Sequence, residues 1–253
     1  MTSLDKKYFF SDFTERHYIQ LLKMAKKYYS FELFTTKQKK PHVIWRHDVD
    51  MSIHRALKLA EIEARLGIKS TYFLLLHSEF YNIFEKDVYE KIKKILKLGH
   101  KIGLHFEFSF YKIKNFKQLE KYLKFEKEIL EKTFSTKIDV FSFHNPELGY
   151  LDSLSNNSIE GMKNCYGKFF KNNYFYCSDS NGYWRFERLF DILSEHEHDQ
   201  LHILIHPEWW QKKSMSPKDR VNRCIDFRAK STKKSYDDFI RKNKRKNIGI
   251  KND

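Results

Sequence analysis

The sequence predicts an α/β barrel, on three observations. Short β-prone runs alternate with helical stretches between about residues 42 and 206. The number of units suits a barrel better than an antiparallel sandwich, and 253 residues suit one large domain of this kind. Five strands end in polar or ionisable residues at the same edge, where barrels of parallel strands gather catalytic side chains. Alternation alone also allows an open doubly wound sheet.

The elements follow in order. Apolar residues at helical spacing predict a helix over 12–29 within an N-terminal extension of about 40 residues. A β-prone run over 42–45 follows Pro41. Ile53, Ala56, Leu57, Ala60, Ile62 and Ala64 then mark a helix over 51–66, which Gly67 ends. A strand over 70–76, a helix over 85–98 closed by Gly99, a strand over 101–105 and a helix over 115–134 continue the pattern. Strands at 138–143, 174–178 and 202–206 complete it, with helices expected near 158–171 and 185–195. From about 212 to 253 the chain turns strongly basic, which predicts a solvated tail, part of it able to pack as a helix.

Composition narrows the class. Hydrophobic residues are 41% and aromatics 17%, too much apolar surface for a disordered chain. Three widely spaced cysteines with no CxxC pair suggest neither a disulfide framework nor a thiolate zinc site, and read as free thiols in a reducing compartment. The N-terminus lacks the apolar core of a signal peptide, and no run of about 18 apolar residues occurs. A cytoplasmic protein without a transmembrane segment is expected. The formal charge of +15 favours anionic partners. With no zinc finger, RNP-like strand or helix-turn-helix signature beside it, the charge argues poorly for nucleic acid.

Side chains two apart on a strand share a face, so Arg46, Asp48 and Asp50 of Arg46-His47-Asp48-Val49-Asp50 should project together. Paired carboxylates repel unless a cation neutralises them; with a divalent metal, one can be a ligand and the other a base. The plainer alternative is that Asp50 caps the following helix. In the second cluster Gly103, His105 and Glu107 share a face, where His105 alone would read as a core histidine. The third cluster includes His144 and Asn145, the fourth Asp179, Trp184 and Arg185, and the fifth His206, Glu208, Trp209 and Trp210. Five such ends would leave polar groups beside a core without partners unless a metal, water or ligand meets them.

The ordered set resembles the polysaccharide deacetylase superfamily, the carbohydrate esterase family 4 type, from about residue 43 to 210. RHDVD with the following helix and STYFLLL, then GHKIGLH, SFHNPE, SDSNGYWR and IHP, stand in the order of that family's motifs. The resemblance implies a distorted (β/α)7 barrel with a bound divalent metal, zinc or a related ion. It implies Asp48 as general base, Asp50 and His105 as metal ligands, and His206 as acid. Val49 separates aspartates that the family usually has adjacent, which leaves the exchange of base and ligand between Asp48 and Asp50 as the alternative. The family's second metal histidine falls at Ser109, which makes His144 the expected third ligand and Glu107 the second choice. Arg46, Glu107, Asn145 and Asp179 are expected to bind substrate, with orientation of the base as the alternative for Asp179 and Arg185. Arg185, Trp184 and Trp209 join them, the tryptophans as sugar-stacking or packing groups.

The resulting expectation is a metal-dependent hydrolase removing an N-acyl group from an amino sugar. Its substrate would be a nucleotide sugar or a glycan intermediate. Two alternatives stand beside it: a hydrolase of a non-sugar amide or imide on the same scaffold, and an inactive glycan-binding barrel.

Overall fold

The computed structural model describes residues 7–36, 39–145 and 155–248. Its centre is β2 (His42–Val49), buried along its whole length. Such burial requires cover on both faces. Val43 and Trp45 lie in the apolar layer under the helices, as does Val49, while Ile44 belongs to a separate cluster on the other face.

β2 pairs in parallel with β3 (Thr71–Leu75) on one side and β9 (Gln200–Ile205) on the other. β4 (Lys101–Glu107) and β5 (Val140–His144) extend the sheet beyond β3, and β8 (Phe175–Ser178) extends it beyond β9, all in parallel. β1 (Ser30–Glu32) pairs with the start of β2. The hydrogen-bonded path runs from β8 to β6 (Ser158–Ile159) without closing among the described residues.

The sheet is nevertheless curled into a distorted barrel. Ile44 of β2, Phe73 of β3 and Val140 of β5 pack in one cluster with Phe34, Phe170 and Tyr174, and the His202 ring of β9 packs edge-on against Phe34. Strands that far apart share an interior only if the sheet bends around it. Gly103 of β4 supplies room there: a Cβ would stand 2.6 Å from the Phe73 ring and 3.1 Å from the Val140 carbonyl oxygen.

Helices cover the outside. α1 (Glu15–Tyr28) begins at Thr14, whose hydroxyl accepts from the His17 amide. α2 (Ile53–Arg65) is capped by Ser52, which accepts from the Arg55 amide at 3.3 Å. That cap removes the plainer reading of Asp50, because the helix start is served by another residue. α3 (Lys86–Lys97) and α4 (Phe116–Phe134) follow β3 and β4.

One expectation needs correction. The helix expected over 158–171 is a hairpin, β6 (Ser158–Ile159) against β7 (Met162–Asn164), followed by the short α5 (Lys168–Asn173). Glu160 at φ 50° and Gly161 at φ 72° form its two-residue turn, since positive φ at both positions matches the twist of paired strands. After α6 (Leu189–Glu195) and β9, the basic tail contains the 26-residue α7 (Pro217–Lys242). Pro217 opens that helix and Ser216 caps it, accepting from the Asp219 amide at 3.2 Å.

Candidate active site

The C-terminal ends of β2, β4, β5 and β9 converge on one cavity of about 920 Å³. Asp50, just beyond β2, has Oδ1 3.2 Å from Nε2 of His105 on β4. Its Oδ2 stands 3.9 Å from Nε2 of His144, at the end of β5, and 3.8 Å from Nε2 of His206, just beyond β9. Asp50, His105 and His144 each offer one ligand atom, and the three atoms lie within 4.8 Å of one another.

The distal nitrogens of both histidines are occupied. His105 Nδ1 meets the Ser142 hydroxyl at 2.7 Å, and His144 Nδ1 is bonded to Glu107. Both rings thus turn Nε2 toward Asp50, as groups behind a metal-binding histidine do. Glu107 is itself fixed, because Ser109 donates its amide at 3.0 Å and its hydroxyl at 2.6 Å. Ser109 therefore steadies the carboxylate that orients His144.

The electrostatics suit a cation. Burial works to raise the Asp50 pKa, but the hydrogen bond and charge of His105, with His206 and His144, outweigh it and hold the carboxyl below its ordinary range. Asp50 Oδ1 is buried and turned toward His105 Nε2. Two imidazoles and one carboxylate form a donor set suited to zinc and similar divalent ions.

On the opposite side, His206 is held from behind. Its Nδ1 is 2.7 Å from Asp179 Oδ1, and its backbone amide donates to the same carboxylate at 2.9 Å. Trp210 donates its indole N–H to Asp179 Oδ2 at 2.8 Å. Burial lowers the His206 pKa, but the Asp179 hydrogen bond and charge outweigh it, with help from Asp50 and Glu208, and raise it to about 10. A proton is therefore held on the ring, whose Nε2 faces Asp50.

Asp48 is 1% exposed, with Oδ2 3.0 Å from the Arg46 guanidinium and 3.7 Å from His105 Nε2. Its other oxygen has no hydrogen-bond partner among the described residues. Asp48 thus lies beneath Asp50 rather than on the cavity wall.

Among the expected substrate contacts, Glu107, Asn145, Arg185 and Trp209 line the cavity. Three others do not. Arg46 is fully buried between Phe73 and Tyr166, its guanidinium bonded to Asp48 and the Tyr166 hydroxyl. Asp179 is fully buried and spends its oxygens on His206 and Trp210. Trp184 donates to Asp12 at 3.0 Å and stacks on Phe13, within the helix-side core. In each case burial keeps the side chain away from the cavity, although Nε and Nη1 of Arg46 have no hydrogen-bond partner among the described residues. Glu107 reaches the cavity but has both oxygens engaged. Of the SFHNPE run, Pro146 and Glu147 lie outside the described residues.

Sequence reasoning missed Ser142, His77, Glu126 and Tyr166. Ser142 was legible, being two residues before His144 on the same strand face. His77 lines the cavity with Nε2 2.9 Å from Glu126 Oε1 and 3.1 Å from the Tyr111 hydroxyl. Glu126 sits on the buried stripe of α4, where spacing marks a core position and says nothing of a histidine 49 residues earlier. Glu208 was singled out without a role. It is fully buried, and its carboxyl oxygens lack a partner outside the residue itself among the described residues; burial and the Asp50 charge push its pKa well up.

Fold and site define a class: an α/β barrel with a candidate His2Asp metal centre and a carboxylate-held histidine at its strand ends. No protein-family model matches the chain, and no curated protein matches it. The solved structures it is similar to include carbohydrate esterase family 4 proteins, the family its motifs resemble. One is the catalytic domain of peptidoglycan N-acetylglucosamine deacetylase from Eubacterium rectale, at 12% identity and TM-score 0.46, covering 79% of this chain and 89% of that one. Another is the peptidoglycan deacetylase PdaC from Bacillus subtilis, at 13% identity and TM-score 0.44, covering 81% and 98%. A family 4 pseudoenzyme from Bacillus anthracis matches at 14% identity and TM-score 0.42, covering 79% of this chain and 66% of that one. Likeness at this level leaves the chemistry to this chain's own residues.

Proposed function

We propose that the protein is a metal-dependent hydrolase that removes an N-acyl group from an amino sugar. The observation that carries this reading is the convergence of Asp50, His105 and His144 within 4.8 Å, with His206 facing them. A divalent cation held by the three, zinc in the first instance, supplies Lewis acidity for an acyl carbonyl and acidifies water.

The residues divide the remaining work. Asp48, anchored by Arg46 beneath the cavity wall, is assigned as base through its one unpartnered oxygen, which would meet a water seated beside Asp50 and His105 rather than one free in the cavity. His206, held by Asp179, donates the proton that lets the amine leave. Glu107 and Ser142 keep the two ligand rings in place. Arg185, Asn145 and Trp209 border a cavity of sugar-binding size, and a basic surface favours a phosphate-bearing substrate such as a nucleotide sugar or lipid-linked glycan intermediate.

Metal analysis after supplementation with zinc, cobalt or nickel tests the centre: wild type should hold one equivalent, and Asp50→Ala none. Acetate or formate release from N-acylated amino sugars tests the reaction. Stoichiometric metal without release from any such substrate would sink the amino-sugar assignment, and absence of metal would sink the mechanism.

A further inference from the structure

Exposed apolar side chains form two sets, one at the cavity mouth and one along α7. Phe110, after β4, and Phe186, after β8, line the cavity mouth and are 58% and 76% exposed. Phe84, in the connection from β3 to α3, is 67% exposed. Phe110 and Phe186, standing this far out at one opening, mark a surface for a partner.

The second set runs along α7. Ile225, Ala229, Thr232, Tyr236 and Phe239 follow spacings of four, three, four and three, which puts them on one side of a helix, and all are exposed. Only Arg220 and Cys224 of the helix are buried. α7 is tied to the same edge of the barrel: Phe227 packs edge-on against His54 at 4.5 Å, and Arg228 pairs with Glu85, next to Phe84.

Charge selects the occupant. Between Lys218 and Lys246 the chain carries 12 Lys or Arg against 4 Asp and no Glu. A second copy would bring like charge against like along the stripe. An anionic bilayer offers the opposite charge at its surface and an apolar layer beneath, which suits a helix with basic and aromatic sides.

We propose that α7 and the phenylalanine rim form a docking face for an anionic lipid bilayer, turning the cavity mouth toward the membrane surface. A lipid-borne substrate would follow only from the hydrolase reading; the membrane contact does not depend on it.

Co-sedimentation of the full chain with vesicles tests the proposal. Phosphatidylglycerol–phosphatidylcholine vesicles should bind at least about tenfold more protein than pure phosphatidylcholine vesicles. The double variant Tyr236→Ser/Phe239→Ser and the separate pair Phe110→Ser/Phe186→Ser keep every charge, and each should reduce binding several-fold. Circular dichroism confirms that these surface variants remain folded. Equal binding to both vesicles, or none, overturns the proposal. So does anionic binding that neither aromatic pair affects, which would be adsorption by charge alone. RNA binding without vesicle binding, or a dimer abolished by Tyr236→Ser/Phe239→Ser in the absence of lipid, assigns the face to another partner. Metal content and acyl release are read separately, so failure here leaves the hydrolase reading standing.

Discussion

At the scale of single residues, the site depends on groups one step behind Asp50, His105 and His144. Glu107 holds His144, and its replacement by Gln keeps the shape while weakening the charge-assisted bond. Glu107→Gln should lower zinc affinity by about 10–100-fold, measured by competition with a chelator, while leaving the circular dichroism spectrum unchanged. Asp179 serves His206 in the same way. Asp179→Asn should depress kcat and shift the basic limb of the rate profile downward, because the carboxylate that raises the histidine pKa to about 10 is gone. An unaltered pH profile would refute that positioning role.

At the scale of elements, a buried polar cluster joins four of them. Glu63 of α2 accepts from Tyr72 of β3 at 2.7 Å, is bonded to Tyr18 of α1, and stands 2.6 Å from His47 Nε2 on β2. His100, just before β4, lies 3.6 Å away. Burial raises the Glu63 pKa, but the charge and hydrogen bond of His47, with His100 and Tyr18, bring it down to about 2 from an unfolded value of 4.5. The folded value is depressed, so this stabilisation is complete above pH 4.5 and is lost as pH falls toward 2. Its size is on the order of 3 kcal/mol. Denaturant titrations should show that loss in wild type between pH 4.5 and 2. Glu63→Gln should be destabilised at pH 7 by about 3–5 kcal/mol and lose most of this acid dependence.

At the scale of the whole molecule, curvature is set where strands from both flanks of the sheet meet. Gly103 allows Phe73 to cross the interior beside β5. Gly103→Ala should cost about 1–3 kcal/mol in urea unfolding, because the Phe73 ring and a backbone carbonyl both stand in the way. A neutral result would mean that the barrel interior is looser than its packing indicates. The same interior encloses Arg46, whose pairing with Asp48 and Tyr166 links the barrel core to the floor of the cavity.

The sequence by itself determined the strand–helix alternation and which faces of the strands hold the polar groups, because both follow from local periods of 3.6 and 2. It therefore placed Asp50, His105, His144 and His206 at strand ends. It missed the 158–164 hairpin because two short strands around Glu160 and Gly161 look like part of a helical run, and positive φ is a property of the folded turn. Only the tertiary structure decided that Arg46 supports another side chain, and it alone chose between the alternatives left for Asp179 and Trp184, the first holding His206 and the second packing in the core. Only there does Ser109 stand behind Glu107. A strand's pattern fixes which way a side chain points; what it meets depends on neighbours that may be more than 100 residues away, as Tyr166 is from Arg46. Burial and hydrogen bonding are settled only when those neighbours are assembled.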